Sequence, residues 1–209
     1  MKLSSVVFSI VLASSATFAN AANLVTNGSF ETPVVTSSSH WAPEASVPGW
    51  VNATESTIEI QTTALGYITA ADGNQYMELN GNLPSYVHTT ALATVAGDKY
   101  TFSFAYAGRS DGGANTMNVL WDGNVIQAAL QAPSTSAWTY YSYTVTAQGN
   151  DTAGFSSVPY QTGALSYGNF IDKVSVTPTP LPAALFFVAP ALAGVFGFSR
   201  RKAANGLQA

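Results

Sequence analysis

Lys99-Tyr100-Thr101-Phe102-Ser103-Phe104-Ala105-Tyr106-Ala107 sets an aromatic ring at every second position, with small or hydroxyl side chains between. A period of two belongs to an extended strand, whose successive side chains point to opposite faces. The spacing predicts a strand with Tyr100, Phe102, Phe104 and Tyr106 turned one way and Thr101, Ser103 and Ala105 the other. Neighbouring stretches carry the same period. Residues 75–80 put Met77 and Leu79 on one face and Tyr76 and Glu78 on the other. Residues 115–121 and 125–130 flank Asp122-Gly123-Asn124, and Asp-Gly readily supplies the positive φ of a tight hairpin turn. Residues 138–147 and 169–177 are further strands, and residues 34–39 read as a polar loop. Eight to ten short strands without a long amphipathic helix predict an all-β domain over residues 22–177, a two-sheet antiparallel jelly-roll sandwich.

Both ends of the chain differ from this body. After Met1-Lys2 come Val6, Val7, Phe8, Ile10, Val11 and Leu12, then Ala19-Asn20-Ala21. An apolar run closed by an Ala-x-Ala site predicts a secretory signal peptide over residues 1–21, cut after Ala21. At the other end, residues 178–209 form a Pro-rich linker and a tail. Pro178, Pro180, Leu181 and Pro182 precede an uncharged apolar block, 183–198, which is followed by Arg200-Arg201-Lys202. As a helix the block reaches about 24 Å, against a hydrocarbon core of about 30 Å. Leu181, Pro182 and Ser199 extend it, and the cations hold its C-terminal end on the cytoplasmic side, which leaves the body outside. A buried C-terminal core helix is the alternative reading.

The order proline motif, apolar block, basic cluster resembles the PEP-CTERM sorting signal of Gram-negative bacteria. In that family exosortase, a membrane protease-transpeptidase, recognises the proline motif and removes the tail. Pro180-Leu181-Pro182 stands where the family usually has Pro-Glu-Pro. The resemblance implies export by the general secretory route, an exosortase-type partner and transient attachment to the inner membrane. The implied destination is the cell envelope, the cell surface or the extracellular matrix.

Of the seven basic residues only Lys99, Arg109 and Lys173 lie in the body, against all eleven acidic ones, which gives it a formal charge of −8. Such a charge argues against nucleic acid and anionic membrane surfaces as partners and suits neutral glycans or divalent cations. The chain has no cysteine, which excludes disulfides, thiol catalysis and cysteine-bound zinc.

A second resemblance spans the body. Asn23-Leu24-Val25-Thr26-Asn27-Gly28-Ser29-Phe30-Glu31 looks like the opening strand of galactose-binding-like jelly rolls, including several carbohydrate-binding modules. Pro48-Gly49-Trp50, Gln75-Tyr76-Met77-Glu78-Leu79, Ala107-Gly108-Arg109 and Phe170-Ile171-Asp172-Lys173-Val174-Ser175-Val176 follow in the order those families show. The resemblance implies a structural Ca2+ held by Glu31 and Asp172, with the backbone carbonyl of Ser29 or its neighbours completing the shell. Strict alternation supports this, because it places Asp172 on one face with Phe170, Val174 and Val176. A buried, unpaired carboxylate is costly, and a hard cation is one remedy. The alternative is a strand-end Asp172, solvated or paired with Lys173 or a backbone amide.

Catalysis has no local signature: Gly-x-Ser-x-Gly, His-Glu-x-x-His and a glycine-rich phosphate loop are all missing, and His40 and His88 are the only histidines. Glu55, Glu59, Asp72 and Glu78 are the acids from which a glycosidase pair could be drawn, although Glu59 and Glu78 read as ordinary outward-facing strand residues. Binding has more material, since aromatic residues make up 12% of the chain and charged ones only 9%. If the Tyr141, Tyr143 and Val145 face is core, Trp138 and Tyr140 form an exposed pair on which a sugar ring could stack. They serve equally well as padding for the core or a sheet edge. Arg109 precedes the glycine-containing loop 110–115, either a ligand mouth or a plain connection. The leading expectation is a non-catalytic surface or matrix protein that binds glycan or exopolysaccharide. A purely structural envelope or biofilm protein is the rival, and a glycoside hydrolase comes third.

Overall fold

In the computed structural model the described residues are 22–111, 115–158 and 166–179. The signal segment with Ala19 and Ala21, the motif Pro180-Leu181-Pro182, the apolar block and Arg200-Arg201-Lys202 lie outside them. Among the described residues no helix is long and apolar enough to cross a membrane.

Among the described residues eleven strands follow one another: β1 (Trp41–Glu44), β2 (Trp50–Asn52), β3 (Ile58–Thr62), β4 (Gln75–Glu78), β5 (Tyr86–Thr89), β6 (Lys99–Ala107), β7 (Thr116–Trp121), β8 (Asn124–Gln131), β9 (Thr139–Thr146), β10 (Ala153–Ser157) and β11 (Phe170–Pro178). They form a six-stranded sheet in the order β1-β3-β4-β11-β6-β9 and a five-stranded sheet in the order β2-β5-β10-β7-β8. Every pairing is antiparallel. This is the jelly-roll sandwich that the alternating strands predict. The domain runs slightly past residue 177, since Thr179 N still donates to Lys99 O at 2.8 Å.

β6 lies inside the six-stranded sheet and sends Tyr100, Phe102, Phe104 and Tyr106 into the space between the sheets. There Phe104 meets Phe155 of the opposite sheet edge-on at 4.8 Å, and Tyr141 stacks on it at 5.6 Å. The β7–β8 hairpin turns at Asp122 (φ 49°) and Gly123 (φ 73°), both in the left-handed region that a two-residue hairpin loop requires.

Two expectations need correction. Residues 23–31 are not a strand. They form a turn in which Phe30 N donates to Asn27 O, and they lie along β11 through Leu24 N to Val176 O and Val174 N to Gly28 O. Positive φ at Asn27 and Phe30 breaks the extended backbone there. The second correction concerns β11. Its register shifts between Asp172 and Ser175, with Lys173 at φ 52°. A bulge of this kind resets the alternation. Ile171, Val174 and Val176 therefore enter the inter-sheet core, whereas Phe170 belongs to a separate cluster. Asp172 shares a face with Phe170 but not with Val174 and Val176.

The outer face of the six-stranded sheet is only partly open to water. Residues 63–74, which begin with a 3-10 turn (Thr63–Leu65), fold over it. Beneath them Ile68, Tyr76, Ala107 and Phe170 make a second small core, with Tyr67, Ala70 and Trp138 packed at its margin. The small side chains of Ala105 and Ala107, fully buried on β6, let this cover lie close to the sheet.

Candidate functional site

Strand pairing sets Glu59 of β3 directly opposite Glu78 of β4. Like charges in that position repel, and here both residues are buried. The expectation that they are outward-facing solvated acids fails because the cover encloses their face. Three groups compensate the pair. Gln61 Nε2 donates to Glu59 Oε1 at 2.8 Å and also to Glu78 Oε2. Arg109 Nη1 donates to Glu78 Oε2 at 2.9 Å, and Gly168 N to Glu78 Oε1 at 2.7 Å. Burial still dominates and raises both carboxyls above the usual carboxylate range, and at Glu78 the charge of Glu59 adds to it. The pair retains a proton where isolated carboxyls would have lost theirs.

Arg109 is the organiser of this cluster. Its Nε donates to Asp111 Oδ1 at 2.7 Å and its Nη2 to Tyr67 Oη at 2.7 Å, while Tyr67 Oη donates to Asp111 Oδ2 at 2.6 Å. Those contacts hold the Asp111 carboxyl below its ordinary range, first through the Arg109 hydrogen bond. The Tyr67 and Tyr167 rings lie 4.4 and 3.9 Å from the guanidinium carbon, within cation–π range.

Around this network opens a pocket of about 320 Å³, lined among others by Trp41, Glu59, Gln61, Tyr67, Arg109 and Tyr167. Trp41 and Tyr167 are exposed at its rim. Gln61, 1% exposed, lines the pocket, and its Oε1 has no hydrogen-bond partner among the described residues. The site thus combines flat apolar rings with buried acceptors, the composition of pockets that hold small polar ligands.

The cover that carries Tyr67 is held by two acids distant in sequence. Asp172, fully buried, accepts from Ala71 N at 2.7 Å and Asp72 N at 3.0 Å through Oδ2, and from Lys173 N at 2.6 Å through Oδ1. Glu31 Oε1 accepts from Asn74 N and Gln75 N, both at 2.8 Å. Ser29 Oγ donates to Asp72 Oδ2 at 2.7 Å. Gly73 (φ 73°) sits so close that an added Cβ would overlap the Glu31 carboxylate. Despite its three amide donors, burial pushes the Asp172 carboxyl up to about 7.

No family model matches the sequence, and no curated protein does. Solved structures similar to the chain include carbohydrate-binding modules. Family 16 Carbohydrate Binding Module-2 is 14% identical with a TM-score of 0.49, over 74% of this chain and 99% of that one. TmCBM61, solved in complex with beta-1,4-galactotriose, is 15% identical with a TM-score of 0.47, over 76% and 99%. CBM35 from Paenibacillus barcinonensis is 17% identical with a TM-score of 0.43, over 66% and 98%. At these values the likeness fixes neither ligand nor site for this chain.

Of the residues singled out in the sequence, Ser29, Glu31 and Asp172 do meet, around the turn 71–75. The donors they face are mostly backbone amides, and among the described residues no three acidic or histidine side chains are grouped to hold a metal ion. Arg109 lines the pocket, but as a buried anchor. Trp138 and Tyr140 do not form a pair. Trp138 packs edge-on against Tyr76 at 5.8 Å and donates from Nε1 to Thr69 O at 2.7 Å, bracing the cover. Tyr140 is 63% exposed, beside Ser103, Ser142 and Lys173 on the open part of the face. Glu55 lies elsewhere and accepts from Leu83 N and Ser85 Oγ. The sequence reading missed Trp41, Gln61, Tyr67 and Tyr167 as pocket residues. A signal existed only for Gln61 and Glu59, polar residues alternating with Ile58 and Ile60 in a short strand.

Proposed function

We propose that this protein is a secreted or surface-sorted, non-catalytic glycan-binding module whose ligand site is the pocket between Trp41, Tyr67 and Tyr167. The observation that carries the proposal is the pairing of exposed rings with buried, incompletely satisfied acceptors in one pocket. Apolar sugar faces stack on rings while hydroxyls donate to the acceptors below. Glu59 and Glu78 do not suit glycoside hydrolysis. They share one amide nitrogen as neighbours on one wall, whereas a hydrolytic pair faces across open space that admits the scissile bond.

Delivery in this proposal rests on the ends of the chain, with removal of residues 1–21 and recognition of Pro180-Leu181-Pro182 by an exosortase-type enzyme in a Gram-negative bacterium. A structural Ca2+ at Ser29, Glu31 and Asp172 belongs to it as well. The support is that Asp172 is fully buried and its three amides leave its carboxyl raised, so a cation would supply the missing compensation. Melting in EDTA and in added Ca2+ tests this part: a higher melting temperature with Ca2+, lost in Asp172→Ala, is expected, and equal melting temperatures assign the turn to its amide bonds alone.

The site itself is tested by a glycan-array screen of the purified protein followed by calorimetry on the best binder. Trp41→Ala and Tyr167→Ala are expected to weaken binding about fivefold, as loss of a stacking ring costs of the order of 1 kcal/mol. Loss in Tyr140→Ala alone would move the site to the open face. No binding to any polysaccharide would leave the structural envelope role.

A further inference from the structure

We propose that the pocket selects sugars bearing a free amine over neutral and acidic ones; this rests on the glycan reading above and names the ligand class of that same site. Arg109 is the group that would receive an acidic sugar, yet each of its three nitrogens already donates, Nη1 to Glu78, Nε to Asp111 and Nη2 to Tyr67, and its charge is set against two carboxylates. Among the described residues no lysine lines the pocket. A uronate entering here would meet Glu59 without a free cation to oppose it.

Beside the polar Asn82 and Ser166, the groups left for a ligand include buried acceptors. Glu59 lines the pocket. Gln61 turns its Nε2 to the two carboxylates, so only its Oε1 is unpartnered, in a side chain 1% exposed. This unpartnered oxygen is independent of the charge argument and points the same way, to a ligand that brings a donor to it. Glu59, Glu78 and Asp111 surround a single arginine, so even with one proton retained the cluster keeps a net negative charge. A hydroxyl supplies one donor and no charge. An ammonium supplies three donors and a positive charge, and its bonds to carboxylates are about twice as strong as neutral ones. The exposed Trp41 ring adds a face that attracts a cation, and the −8 body steers cationic chains toward it.

The test is calorimetry of the purified protein at pH 6 with three oligosaccharides of equal length: β-1,4-linked glucosamine, its fully N-acetylated counterpart and a galacturonate. The amine form is expected to bind about tenfold or more tightly than the other two, and more weakly as salt is raised. Glu59→Gln should remove most of that preference. Trp41→Ala alters an exposed ring outside the buried network, and it should weaken the amine form without harm to the fold. Equal or tighter binding of the acetylated or acidic form, or an unchanged preference in Glu59→Gln, or unchanged affinity in Trp41→Ala, overturns the amine proposal and leaves glycan binding standing. Binding of no glycan at all overturns both.

Discussion

Arg109 shows how one residue sets a site without being free to bind. It is 8% exposed, and its guanidinium joins β4, through Glu78, to Asp111 and Tyr67. Arg109→Ala would leave Glu78 buried beside Glu59 without its cation, held only by Gln61 and Gly168, and breaking a buried pair from one side costs up to about 3–5 kcal/mol. The expected fall in melting temperature is roughly 10 °C, and adding Glu78→Gln should recover part of it, because a neutral amide tolerates burial. If the double variant is no better than the single one, the pair is not coupled. Asp172 acts on the pH axis. Its folded pKa, about 7, lies above its ordinary value of 3.8, so the folded state binds the extra proton. Its contribution is therefore fully present below about pH 4 and is lost as pH rises through about 7. Asp111 and Asp151, whose carboxyls are lowered, act oppositely and remove stability only as pH falls below the usual carboxylate range. Melting curves in EDTA should show a decline from pH 4 to 7 that Asp172→Asn flattens. A slope unchanged in that variant would assign it to the Glu59–Glu78 pair.

At the scale of elements, the cover over residues 63–74 links the acids that hold it to the pocket it walls. Gly73→Ala would place a methyl group on the Glu31 carboxylate at a φ of 73°, a backbone region that costs a side chain roughly 1 kcal/mol or more. Hydrogen exchange over the cover should quicken, and glycan affinity should drop with it, because Tyr67 rides on the same segment. Exchange that quickens without loss of affinity would detach Tyr67 from the site. This element also marks the limit of sequence reading. β6, the β7–β8 hairpin and β9 were legible because alternation and the Asp-Gly turn are local. The cover has no period, and its anchors, Ser29, Glu31 and Asp172, lie some 40 to 100 residues away. Nothing local announces that the second face of β3 and β4 is enclosed. Glu59 and Glu78 therefore read as surface acids, and the bulge at Lys173 reset the alternation on which the neighbours of Asp172 were judged.

For the whole molecule, the body and the two ends make one argument about where it works. A cysteine-free jelly roll has no disulfide to hold it, and this one closes an inter-sheet core that reaches from Val25 to Val176. Its charge of −8 is suited to water rather than to an anionic membrane surface. Yet the chain carries an apolar segment with an Ala-x-Ala site before the body and, after it, sixteen uncharged residues closed by Arg200-Arg201-Lys202. Neither segment is required by the sandwich, since the last strand ends at Pro178. In the delivery proposed above both are addressing segments, which makes a definite prediction. Mass spectrometry of the protein isolated from its native host should find a form that begins at Ala22 and ends near Pro182. Replacing Pro180 and Pro182 by alanine should leave the apolar block attached and shift the protein from the surface or matrix fraction to the membrane fraction. A native form that retains residues 183–198 would mean that the tail serves as an anchor, and the pocket would then face its glycan from the membrane rather than within the matrix.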